Sequence, residues 1–160
     1  MPRRKKSDFS RDIGVDPRFQ SVLIQKLINT VMERGKKNIA RTIVYEAFDL
    51  VSKKNGNNDQ KAMEYFSQAF DNIVPVVEVA PRRVGGSVYQ IPREVAPRRA
   101  RALGIRWLIG AAAARSNKTM GQRLANEIFE AYENRGGAVK KRGDVQRMAE
   151  ANRAFSHFAW

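Results

Sequence analysis

Apolar residues recur at helical spacing along most of this chain, and the pattern breaks once. The first stripe runs Phe19, Leu23, Leu27, Val31, widened by Val22, Ile24 and Ile28. A second carries Ala40, Ile43, Val44, Ala47, Phe48 and Val51, and a third Ala62, Phe66, Ala69, Phe70 and Ile73. Beyond Pro75 the period changes. V-V-E-V-A-P-R-R-V and S-V-Y-Q-I-P-R-E-V are β-branched and aromatic runs flanking Gly85-Gly86. Two glycines between such runs signal a two-residue hairpin, because both turn positions can take positive φ. Pro81 and Pro92 exclude a central strand but fit a ribbon in which both strands are edges. A turn centred on the glycine pair sets Val84 opposite Ser87, Arg82 opposite Tyr89, and Glu78 opposite Arg93. An isolated ribbon is marginal in water, so it is expected to gain order from a partner. The fold expected is mainly α: a six-helix single domain with one protruding two-stranded β-hairpin near 76–95.

Local punctuation places the helices. Asp16-Pro17 reads as a helix start, since Asp caps free N–H groups and Pro suits the first helical position. Gly35 is expected to stop that helix, and K-K-N-G-N-N to end the second. Asn58 or Asp59 can cap the third, which Pro75 closes. Pro97 opens a fourth. There Leu103, Ile105, Trp107, Leu108 and Ile109 lie on almost every side, which predicts burial all round. Gly110 and the alanines 111–114 would permit close backbone approach. A fifth helix near 119–133 carries Met120, Leu124, Ile128 and Tyr132 at helical spacing. Gly136-Gly137 breaks it, and a last helix from about Val145 packs Val145, Met148, Ala149 and Phe155. The helical domain therefore spans 16–160, behind a basic arm at 1–15.

Charge narrows the partners. Thirty Lys+Arg against sixteen Asp+Glu leave +14 over 160 residues. Such a cation repels itself unless a polyanion compensates it. Nucleic acid fits first, an anionic membrane surface second, and a merely solvated surface third. The longest apolar run, Trp107 to Ala114, is too short to span a bilayer, and no signal-peptide pattern opens the chain, so a cytosolic protein is expected. There is no cysteine and one histidine, His157. No phosphate-cradling glycine motif and no carboxylate cluster with ligand spacing is present. We expect no enzyme activity, no metal and no cofactor.

The basic residues favour RNA. Arg3, Arg4, Lys5 and Lys6 form an arm suited to a phosphate backbone, or to simple solubilisation. From Pro81 to Arg106 there are seven arginines, one glutamate and no lysine. Guanidinium pairs bidentately with phosphate and stacks on bases, which lysine cannot do. Gly85 and Gly86 let the hairpin tip approach a ligand closely. Tyr89 could stack on an unpaired base or hold the ribbon through a cross-strand contact. Lys36, Lys37, Arg115, Lys118, Lys140, Lys141 and Arg142 are read as lying at helix ends or in loops. Charge spread over loops, an arm and a ribbon suits folded RNA gripped at several points, whereas a duplex-DNA reader concentrates it on one helix. The tetrapeptide A-P-R-R occurs twice, at Ala80–Arg83 and Ala96–Arg99. Its first copy is read as a ribbon edge and its second as a helix start.

These blocks resemble, in order, the family of small-subunit ribosomal protein seven, bacterial type. The matching stretches are the opening P-R-R and the Ser21–Ala47 segment with Gly35-Lys36-Lys37. They continue with P-V-V-E-V…R-R-V-G-G…Y-Q-I-P…E-V, then A-P-R-R with R-W-L-I, and the closing G-G-A-V-K-K-R-G-D-V…R-M-A-E-A-N-R-A-F. The resemblance implies a primary binder of small-subunit ribosomal RNA that docks on the 3′ major domain, nucleates the head, and works in the cytoplasmic ribosome. It implies RNA contacts at Arg3, Arg4, Lys36, Lys37, Arg82, Arg83, Arg98, Arg99, Arg101 and Arg115. It also implies a hairpin near exit-site transfer RNA and the messenger path, neighbouring ribosomal proteins of head and platform as partners, and no membrane.

Overall fold

The computed structural model describes residues 12–158, and six α-helices and one antiparallel β-hairpin account for most of them. The helices are α1 (Val22–Val31), α2 (Lys37–Lys54), α3 (Asp59–Asp71), α4 (Pro97–Ala113), α5 (Met120–Tyr132) and α6 (Gly137–Ala151). Strands β1 (Val77–Val84) and β2 (Ser87–Glu94) lie between α3 and α4, and a 3₁₀ turn, Arg153–Phe158, follows α6. The arm residues Arg3, Arg4, Lys5 and Lys6 lie outside the described residues.

The three stripes meet in one core. α5 packs against α2, α3 and α4, with α1 and α6 on the outside. Leu27, Ile28, Val44, Phe48, Leu108 and Leu124 are fully buried there. Phe19, Phe48, Phe66 and Phe70 form an aromatic chain with ring centroids 4.8, 5.1 and 5.8 Å apart. Gly104 lets α4 close on α3, since a Cβ there would sit 3.1 Å from the Phe70 ring. Close approach thus falls at Gly104 and where Ala111 meets Gly137, not at Gly110, which faces open space.

The hairpin has the expected register: Val84 opposite Ser87, Arg82 opposite Tyr89, Glu78 opposite Arg93. Gly85 and Gly86 both take positive φ, +57° and +89°. The base of the ribbon, however, is held by its own domain. Ile91 and Glu78 are buried, α6 lies against both strands, and the 3₁₀ turn lies against β2.

Other expectations are corrected. Asp16-Pro17 does not begin α1. The buried Asp16 carboxylate accepts the N–H groups of Arg18 and Phe19 and the Tyr45 hydroxyl, closing a turn. Gln20, at φ +48°, breaks the path before α1 starts. That helix ends at Val31, ahead of Arg34 and Gly35, both at positive φ. α4 is not buried all round: Arg98, Ala102, Arg106 and Gly110 form an exposed strip. α6 begins at Gly137, so Lys140, Lys141 and Arg142 lie within a helix, and Met148 points outward.

Candidate nucleic-acid interface

The helix N-termini divide into two groups. A helix start leaves N–H groups unpaired and carries partial positive charge. Three starts are satisfied from within the chain. At α3, Asn58 Oδ1 accepts from the Gln60 N–H at 2.8 Å. At α5, Thr119 Oγ1 accepts from the Gln122 N–H at 3.2 Å and donates to Glu46 of α2 at 2.7 Å. The Glu46 carboxylate thereby sits beside the first turn of α5, in the space a Cβ on Gly121 would need. At α6, Glu127 of α5, only 1% exposed, accepts the Ala138 N–H at 2.8 Å.

The other three starts, at α1, α2 and α4, have no side-chain cap and no acidic residue in the first turn. Two of them carry cations instead. Lys36 and Lys37 open α2 beside Gly35 and Asn38. Arg98, Arg99 and Arg101 follow Pro97 at α4. A groove of about 540 Å³ joins the α4 start to α1, lined among others by Ser21, Lys26, Asp71, Pro97 and Arg101. Cations at a positive helix pole are unfavourable unless an anion joins them, and phosphate is suited to N–H groups and guanidinium together.

The sequence-expected residues separate accordingly. Lys36, Lys37, Arg98, Arg101, Lys118, Lys140 and Lys141 are exposed or half-exposed and have no ion pair among the described residues. Arg142 is half-buried, and its Nε lacks a hydrogen-bond partner. Arg82, Arg83, Gly85 and Gly86 are exposed at the hairpin tip.

Three residues have partners inside the fold. Arg115 donates to Glu127 at 2.6 Å and to Glu130, with its side chain 19% exposed, so it braces the end of α4 against α5. The Arg115 hydrogen bonds hold the Glu130 carboxyl below its ordinary value. Arg99 Nε donates to Glu78 at 2.7 Å, though its side chain remains 55% exposed. Tyr89 packs on Phe155 with ring centroids 4.9 Å apart, which ties the ribbon to the 3₁₀ turn.

Two features escaped sequence reasoning. Arg106 lies on the exposed strip of α4 with Arg98, and the spacing of eight residues could have revealed it. Glu78 is a hub. Burial alone would push its carboxyl up, but hydrogen bonds from Arg99 and Arg93 and their charges bring it below the ordinary range. The described residues contain no cluster of metal-ligating side chains, and no helix among them is long and apolar enough to cross a membrane.

Comparison with known proteins is consistent along the whole chain. Residues 2–153 match the family model described as Ribosomal protein S7p/S5e. The chain is 54% identical over 158 residues to small ribosomal subunit protein uS7 of Dechloromonas aromatica, covering 99% of each. It is 51% identical over 160 residues to the protein of that name from Rhodopseudomonas palustris, covering 100% of each. With the one from Mycoplasmopsis synoviae it shares 52% identity over 157 residues, 98% of this chain and 99% of the relative.

Proposed function

The chain belongs to the S7p/S5e family of ribosomal proteins, and we propose that it is a primary binder of small-subunit ribosomal RNA. In this reading it docks on the 3′ major domain, nucleates assembly of the head, and points its hairpin toward exit-site transfer RNA and the messenger path. It is a structural component of the small ribosomal subunit in the cytoplasm, not an enzyme, with ribosomal RNA and other ribosomal proteins as partners; in this reading those proteins are neighbours in the head and platform.

The observation that carries the RNA reading is the division of helix starts. At the α3, α5 and α6 starts the chain supplies its own amide, hydroxyl or carboxylate; at the exposed α2 and α4 starts it supplies cations. A phosphate backbone would complete those two ends. Lys36, Lys37, Arg98 and Arg101 are the anchors in this reading, supported by Arg106, Lys118, Lys140, Lys141, Arg142 and the arm 1–15. Arg115 belongs to the scaffold. Arg82, Arg83, Gly85 and Gly86 form the reaching tip.

Binding of the full chain to a transcribed 3′ domain, with duplex DNA as competitor, tests this. The specific RNA should resist competition at physiological salt. Affinity should fall roughly 10³–10⁵-fold between about 50 and 200 mM salt if some 6–10 phosphates are contacted, on the duplex scale. Equal competition by DNA would refute the reading.

A further inference from the structure

We propose that Glu78 is a positioning residue: its carboxylate is the joint that sets the angle between the hairpin and the α4 end of the domain. It sits at the base of β1, buried, and two guanidinium groups from different elements converge on it. Arg93 of β2 donates through Nε to Oε1 at 2.7 Å. Arg99 of α4 donates through Nε to Oε2 at 2.7 Å and to Oε1 at 2.9 Å. One carboxylate thus ties both strands of the ribbon to the first turn of α4. The register of a two-stranded ribbon constrains only its own strands, so its direction is set by ties to the domain; α6 and the 3₁₀ turn support its base, and Glu78 adds the ionic tie to α4. The packing of Tyr89 on Phe155 gives the ribbon a second rest on the 3₁₀ turn, farther toward the tip.

The two arginines of the second A-P-R-R therefore differ in role. Arg98 stays exposed and free of ion pairs among the described residues, whereas Arg99 turns back to Glu78. Resting on the RNA reading above, the joint links the anchoring end of the protein to the reaching one: the angle fixed at Glu78 decides where the tip lies once α4 is docked.

The angle can be read on the free protein, so the result does not depend on RNA binding. The chain has no cysteine, so Ser87→Cys and Lys53→Cys accept spin labels at the tip and on α2 without competing thiols. Double electron–electron resonance should give a narrow distance distribution in the parent. Glu78→Gln and Arg99→Gln should each at least double its width, since Arg99 carries the link from the ribbon to α4 while Arg93 lies within the ribbon, and Arg98→Gln should leave it unchanged. A distribution as narrow in Glu78→Gln as in the parent would overturn the proposal. If Glu78→Gln does not fold, Arg99→Gln decides, and an unchanged width there overturns it equally. Broadening by Arg98→Gln as large as by Arg99→Gln would do so too, since it would mean that charge at the helix start, and not the joint, sets the width.

Discussion

At the scale of single residues, the most consequential groups are carboxylates that face inward. Glu127 accepts the Ala138 N–H at the start of α6 and pairs with Arg115, so removing it uncaps a helix and leaves a largely buried guanidinium with Glu130 alone. Glu127→Ala should destabilise the fold by about 1–3 kcal/mol, the range for leaving a buried donor unpaired, read from chemical denaturation. Arg115→Met, once folded, should bind RNA as the parent does; a loss of affinity in a fully folded variant would return Arg115 to the interface. Glu78 and Glu130 predict the acid behaviour. Both carboxyls lie below the usual value of 4.5 in the fold, so the stability they contribute is present above that value and is lost as pH falls through their folded values. Melting temperature followed from neutral pH to about pH 3 should drop less steeply in Glu78→Gln than in the parent. These roles were not legible in sequence. Glu46 and Glu127 act on helices other than their own, and no local pattern announces a cap supplied by a neighbour. The Glu78–Arg93 pairing was legible, because the glycine turn pins the register; the reach of Arg99 across to Glu78 was not.

At the scale of elements, α4 carries two demands of opposite sign. Its first turn holds cations at the positive pole, which weakens the helix and favours a phosphate. Arg98→Gln should therefore raise or leave unchanged the melting temperature, by up to about 1 kcal/mol of added stability, while weakening binding to the 3′ domain. A parallel loss of stability and binding would show Arg98 to be structural. Deleting 84–87 at the hairpin tip should leave docking on the 3′ domain within a few-fold of the parent, since the tip is distinct from the α2 and α4 ends. The core stripes of α1, α2, α3 and α5 were readable from their period. The boundaries were less so. α1 starts late because Gln20 takes positive φ and Asp16 closes a turn instead. α6 starts early because Glu127 supplies the cap that Gly136 and Gly137 lack.

Over the whole molecule, charge is sorted. Asp16, Glu46, Asp49, Asp59, Glu78, Glu127 and Glu130 all bond to groups of their own chain. Lys36, Lys37, Arg98 and Arg101, at the α2 and α4 starts, have no ion pair among the described residues. Among the described residues, then, several acids are engaged within the chain, three of them buried, while the cations at the α2 and α4 starts are left for a polyanion. Composition alone disclosed that a polyanion was wanted, and motif order disclosed the family. Which cations stay free emerged only from the partners the fold assigns. The direct test is the slope of log Kd against log salt for the 3′ domain. Replacing Lys36, Lys37, Arg98 and Arg101 together by Gln should lower its magnitude by roughly 3, at about 0.7–0.9 for each phosphate no longer neutralised. Replacing Lys53, Lys61, Arg135 and Arg147 should change it little. Equal slopes for the two variants would contradict the assignment of the RNA anchor to the α2 and α4 starts.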